Sequence, residues 1–182
     1  YEHFRKSGRK GFPIIRSNAV QALDDADSLL SEKGYRPEIV FFDLPGTLKS
    51  DGVIKTLSQM DYIFTPVSAD RFVVESALQF VMMFNDNLVT TGLAKTKDIS
   101  LFWTMVDGRE KTGLYDLYGK LFAENNFRVL DTRLPDSKRF RREPSDDRKP
   151  VFRSTILPPD TSMLKGSRIR ELSEEICSII NG

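Results

Sequence analysis

The stretch Ile39-Val40-Phe41-Phe42-Asp43-Leu44-Pro45-Gly46-Thr47 decides how this chain is read. Four consecutive large apolar residues predict a strand buried on both faces, the pattern of a parallel sheet covered by helices. Pro45-Gly46 then stops the strand and turns the backbone. In an open α/β sheet the residue at such a strand end lies at the carboxyl edge, where ligands bind, so Asp43 is the first candidate functional residue. A strand followed by an ordinary Pro-Gly turn is the plainer reading of the same residues.

Working outward toward the N-terminus, Ala19, Ala22, Leu23, Ala26, Leu29 and Leu30 recur at helical spacing. Asn18 with Gln21 predicts a capping box at the start of that helix, and Gly34 its end. In the other direction, a short helix is expected around Val53, Ile54 and Leu57, then a second strand, Tyr62-Ile63-Phe64-Thr65, stopped by Pro66. Strand, crossover and strand suggest a right-handed βαβ unit. Asp70 caps a long amphipathic helix marked by Val73, Ala77, Phe80, Val81, Phe84 and Leu88 and closed near Gly92. Glu75 reads as surface, and Met82-Met83 as core.

Ile99 to Val106, with Trp103, predicts the next strand, ending at Asp107-Gly108. Leu114, Leu117, Tyr118, Leu121 and Phe122 predict a helix, Phe127 to Leu130 a strand, and Lys138 to Pro150 a polar surface loop. Beyond the Pro158-Pro159 break, Ile169, Leu172, Ile176 and Ile179 mark a C-terminal helix, with Cys177 read as packing beside it. Strands alternating with helices point to an α/β sandwich with a mostly parallel sheet.

The 182 residues, 40% hydrophobic with a formal net charge of +1, suit one globular domain spanning 1–182. No stretch approaches the ~20 apolar residues of a membrane span, and no signal-peptide leader opens the chain, so a cytoplasmic protein is expected. Cys177 and His3 are the only cysteine and histidine. Their scarcity excludes a disulfide framework, a Cys/His zinc site and a Cys-His or Ser-His catalytic pair built from helix or strand positions. The first residue is Tyr1 and not methionine, and the natural protein is expected to extend further toward its N-terminus.

Several segments, taken in order, resemble the ParA/MinD-like P-loop ATPases, and most closely the TraA-type ParA homologues of Bacteroidetes conjugative transposons. They are the Walker B-like stretch Ile39 to Gly46, Gly52-Val53-Ile54, Met60-Asp61-Tyr62-Ile63-Phe64-Thr65-Pro66, and Ala69-Asp70-Arg71. Thr104-Met105-Val106-Asp107, Leu134-Pro135-Asp136-Ser137-Lys138-Arg139-Phe140, Phe152-Arg153-Ser154-Thr155 and Leu164-Lys165-Gly166 continue the series over almost the whole chain. The resemblance implies a P-loop NTPase-like, Rossmann-like sandwich that lacks the N-terminal phosphate-loop strand. It implies an ATPase that forms a homodimer around ATP, acts in plasmid partition or conjugative transposon transfer, meets a partner protein of that system, and binds DNA without sequence preference.

By that resemblance Asp43 is the Walker B carboxylate that coordinates magnesium through water, and Gly46 turns its backbone N–H toward the γ-phosphate. Thr104 and Asp107 mark the strand end where the family reads adenine with an asparagine, and Pro135-Asp136 the second base-contacting segment. Thr104 departs from that asparagine, and a hydroxyl does not copy an amide's paired donor and acceptor. The family's phosphate loop has no counterpart in residues 1–182. The segment Lys6-Ser7-Gly8-Arg9-Lys10-Gly11 has neither a preceding strand nor the required Gly-x-x-x-x-Gly-Lys-Ser/Thr order, and reads as a solvated basic segment. A chain unable to hydrolyse ATP alone is therefore expected. With the phosphate-loop strand missing, strands 39 to 43 and 61 to 65 are expected to pair directly, or a second chain to fill the gap, because unpaired buried backbone groups are costly.

Two other readings compete. Asp43-Leu44-Pro45-Gly46-Thr47 also resembles the Asp-x-Asp-Gly-Thr motif of the haloacid dehalogenase superfamily, with Asp43 as nucleophile, Thr65 or Ser68 as the second-motif hydroxyl and Asp146-Asp147 for magnesium. Pro45 stands where that family keeps its general acid, and proline has no proton to give. The second is a nucleotide-independent DNA- or protein-binding module whose basic cluster Lys138, Arg139, Arg141, Arg142, Arg148 and Lys149 meets phosphates. The interspersed Asp136, Glu143, Asp146 and Asp147 make an ordinary solvated face the plainer account of that cluster.

Overall fold

A computed structural model describes residues 13–31, 36–46, 52–109, 113–141 and 161–182. Its described elements are α1 (Ala22–Ser31), α2 (Val53–Leu57), β1 (Tyr62–Val67), α3 (Arg71–Phe84), β2 (Asp98–Trp103), α4 (Leu114–Glu124), β3 (Arg128–Val129), α5 (Lys138–Arg141), α6 (Thr161–Leu164) and α7 (Ile169–Asn181). A π-helical turn, Asn85–Val89, continues α3. The strands form a small parallel sheet in the order β1-β2-β3, with Ser100 opposite Arg128 and Leu101 opposite Val129. The chain is thus α/β. No described helix is long and apolar enough to cross a membrane.

Two compact units divide the chain. The first holds 64–82 and 99–182 of the described sequence, the second 13–63 and 83–98. In the first unit the core is Val67, Val74, Ala77, Val81, Leu101, Trp103, Tyr115 and Phe122. Val74, Ala77 and Val81 lie at three- and four-residue steps on α3, and Leu101 and Trp103 two apart on β2, so helical and strand periods converge on one apolar layer. Asp70 caps α3 as its side chain predicts, its Oδ1 accepting the N–H of Phe72 at 2.9 Å and of Val73 at 3.1 Å.

In the second unit α1 begins beside Asn18, whose Oδ1 accepts the N–H groups of Val20 and Gln21. The capping box is incomplete, because Gln21 Oε1 accepts from the Asn18 side-chain amide at 2.8 Å, not from its backbone. Gly52 adopts φ 83° and sits against the backbone of Ala19 and Val20, where an added Cβ would lie 2.7 Å from Val20 Cα. Thr56 reinforces the junction, its hydroxyl donating to the Ala19 carbonyl at 2.8 Å.

The decisive expectation fails. Residues 39–45 form no strand, Phe41 is 75% exposed, and the direct pairing of 39 to 43 with 61 to 65 is absent, so β1 opens no βαβ unit with them. An apolar run acquires strand geometry only when a neighbouring strand takes its backbone groups, and no described strand does so here. Smaller differences have local causes. β1 runs through Pro66, which a strand on the edge of the described sheet tolerates because its missing N–H needs no partner. β2 ends at Trp103, short of Val106, as Met105 turns to φ 53°. Lys138–Arg141, expected in a loop, is a helical turn, while Met82 and Cys177 are exposed where packing was expected. Gly34, Thr47, residues 142–160 and His3 lie outside the described residues.

Candidate functional site

Past the carboxyl ends of β2 and β3, two segments almost thirty residues apart in sequence come together. Val106 N–H donates to Leu134 O at 3.0 Å, Asp136 N–H donates to Val106 O at 2.9 Å, and Val106 bridges Pro135 in parallel. Leu134 N–H reaches back to Trp103 O at 2.8 Å, and on the other side Thr104 N–H donates to Val67 O at 2.7 Å. This lacing fixes Thr104, Asp107, Pro135 and Asp136 as one rim at the carboxyl edge of the first unit's sheet, the place where parallel sheets hold ligands. The family resemblance singled out each segment, but nothing in the sequence paired them.

The rim's polar groups are already partnered. Thr104 Oγ1 donates to Val67 O at 3.3 Å. Asp107 Oδ1 accepts the Arg109 backbone N–H at 2.9 Å, and both its oxygens take the Arg109 guanidinium at 3.2 Å. Those side-chain hydrogen bonds, with the backbone one, hold the Asp107 carboxyl below its ordinary range and raise Arg109. Asp136 pairs with Arg141. Met105 stands between these partners, 57% exposed and at positive φ, where an unbranched side chain is tolerated better than a β-branched one.

Two of the basic residues offered for DNA are committed elsewhere. Arg141 is on Asp136, and Arg139 donates to the carbonyls of Met163 and Lys165. Lys138 is exposed, and Arg142, Arg148, Lys149 and the Asp146-Asp147 pair lie outside the described residues.

Asp43 and Gly46 belong to the second unit. Both are exposed and lie in irregular backbone, not at a strand end. A lone carboxylate is a suitable hard ligand for magnesium, which takes one or two protein carboxylates beside phosphate and water. Among the described residues, however, no cluster of three or more His, Cys, Asp or Glu side chains is arranged to hold a metal ion.

Sequence reasoning missed Glu175. Its Oε1 accepts the Asp131 N–H at 2.6 Å and its Oε2 the Thr132 N–H at 2.9 Å, tying α7 to the segment that leads into the rim. The only sequence signal was the position of Glu175 on the apolar side of the helix, in step with Leu172 and Ile179.

No protein-family model matches the chain, nor does any curated protein or solved structure.

Proposed function

We propose that this chain is the base-contacting, C-terminal part of a ParA-like ATPase domain of the TraA type, serving plasmid partition or conjugative transposon transfer. One observation carries the reading. Thr104–Asp107 and Leu134–Asp136, the two segments assigned to the nucleotide base by resemblance, are hydrogen-bonded to each other at the carboxyl edge of a parallel sheet. The α/β element order is compatible with that fold.

In this reading the rim receives the purine, with those backbone groups of 104–107 and 134–136 that the lacing does not use as the hydrogen-bonding surface. ATP with magnesium as cofactor, a homodimer as active species, a stimulating partner protein and non-specific DNA all enter by resemblance, as do the roles of Asp43 and Gly46. Residues 1–182 contain no Gly-x-x-x-x-Gly-Lys-Ser/Thr, so this stretch alone binds nucleotide weakly and does not hydrolyse it.

Calorimetric titration of magnesium-ATP tests the proposal, using this chain and a form carrying a phosphate loop on its N-terminal side. Tight binding by the longer form and weak binding by the shorter one is the expected result. Failure of both to bind would overturn the ATPase reading and favour a nucleotide-independent module.

A further inference from the structure

Between Leu130, whose N–H donates to Leu101 O, and Leu134, whose N–H donates to Trp103 O, the chain arches away from β2. In the arch the amides of Asp131 and Thr132 turn outward to the Glu175 carboxylate of α7, although Thr132 itself is buried. Bonds from backbone N–H groups to a carboxylate are roughly twice as strong as neutral ones. At the other end of the segment Asp136 pairs with Arg141 on α5. Arg139, on the same helical turn, donates to the carbonyls of Met163 and Lys165, the first within α6 and the second just past its end. Both ends of 131–136 are therefore fastened to the C-terminal helical segment 161–181, one through Glu175 and one through the α5 arginines.

We infer that α7 braces the rim, with Glu175 as a positioning residue for Leu134–Asp136 and the α5 arginines as the second tie. The fastening works in both directions. Whatever moves α7 loosens the rim, and whatever fills the rim steadies α7, since coupling between two sites is reciprocal. Residues 170, 171, 173, 174 and 178 of α7 are exposed and leave its outer side accessible. The consequence for nucleotide rests on the proposed function; the bracing itself does not.

Residue-resolved amide hydrogen exchange on the full chain, with Glu175→Gln and Glu175→Ala, tests the inference. Exchange at Asp131 and Thr132 is expected to rise, and to rise about tenfold or more at Leu134 and Asp136 as well, while Leu101 and Trp103 in β2 stay within about twofold. The alanine variant should exceed the glutamine one, which keeps a single acceptor. If the alanine variant does not fold, the near-isosteric glutamine variant decides. A rise confined to Asp131 and Thr132 would reduce Glu175 to a local cap, and a uniform rise through β2 would mean general loss of stability; either result overturns the inference. Magnesium-ATP added to the unmutated chain separates the two ideas. Rim amides that ignore it both there and in a form carrying a phosphate loop would sink the nucleotide reading and leave the bracing standing.

Discussion

The indole of Trp103 meets the ring of Tyr115 edge-on, with centroids 5.1 Å apart and planes 80° from parallel. Phe122, two turns further along the same face of α4, lies 5.6 Å from the same indole. Trp103 and Phe122 are fully buried, so α4 is held to β2 by aromatic area and ring geometry together. This packing fixes the strand end from which the rim departs.

Phe122→Ala should therefore cost about 3 to 5 kcal/mol, the range for emptying a buried aromatic site. Trp103 is the only tryptophan, so its emission reports the same event and should shift to the red in the folded variant. Chemical denaturation followed by that emission checks both. A loss below about 1 kcal/mol would mean that the cluster does not hold the sheet.

Gly52→Ala should destabilise the second unit by about 2 to 4 kcal/mol, because a Cβ there meets the Val20 backbone and also imposes a side chain at positive φ. Thr56→Val, which removes only the hydroxyl bond to Ala19, should cost about 1 kcal/mol. The difference between the two in one denaturation series is the informative quantity, and equal losses would contradict the close approach at Gly52.

Much of the helical structure was legible from period alone. Asp70 and the Val73, Ala77, Phe80, Val81 and Phe84 stripe announced α3, although Val74 and not Val73 is the buried valine, and Leu114 to Phe122 announced α4, because helical hydrogen bonds are local and the apolar face repeats within a few residues. Ile39 to Phe42 misled for the opposite reason. A strand is completed by a partner distant in sequence, and four apolar residues specify burial without specifying what supplies it. The rim had the same limitation. Thr104, Asp107, Pro135 and Asp136 were singled out by resemblance, but the Val106 to Leu134 bond that joins them, and the Glu175 contact over forty residues away, leave no periodic trace.

Asp107 gives the rim a signature in acid. Its pKa is lowered chiefly by the Arg109 side-chain hydrogen bonds, so the pair's contribution is present above the ordinary value of 3.8 and is lost as pH falls through the lowered folded value. The pair is exposed, and the effect on stability is correspondingly small. Carboxyl NMR titration should place the Asp107 midpoint below 3.8 and return it toward that value in Arg109→Gln. An unchanged midpoint in the variant would show that the guanidinium does not set it.

Thr104→Asn restores a side chain with a donor and an acceptor side by side, the pairing that suits an adenine edge. Adenine nucleotide affinity should rise about fivefold, equivalent to about 1 kcal/mol, with no comparable gain for a pyrimidine nucleotide. Competition titration measures the ratio. Equal gains for both nucleotides would mean that Thr104 does not face the base.

The most direct measurement is a residue-resolved map of backbone amide shifts as magnesium-ATP is added to the 182-residue chain. The account predicts saturable shifts concentrated at Thr104, Val106, Asp107 and Asp136, with smaller shifts passed through Asp131, Thr132 and Glu175 to α7. Shifts absent from that rim, or concentrated on Lys138 and its neighbours in the manner of a diffuse phosphate contact, would contradict it.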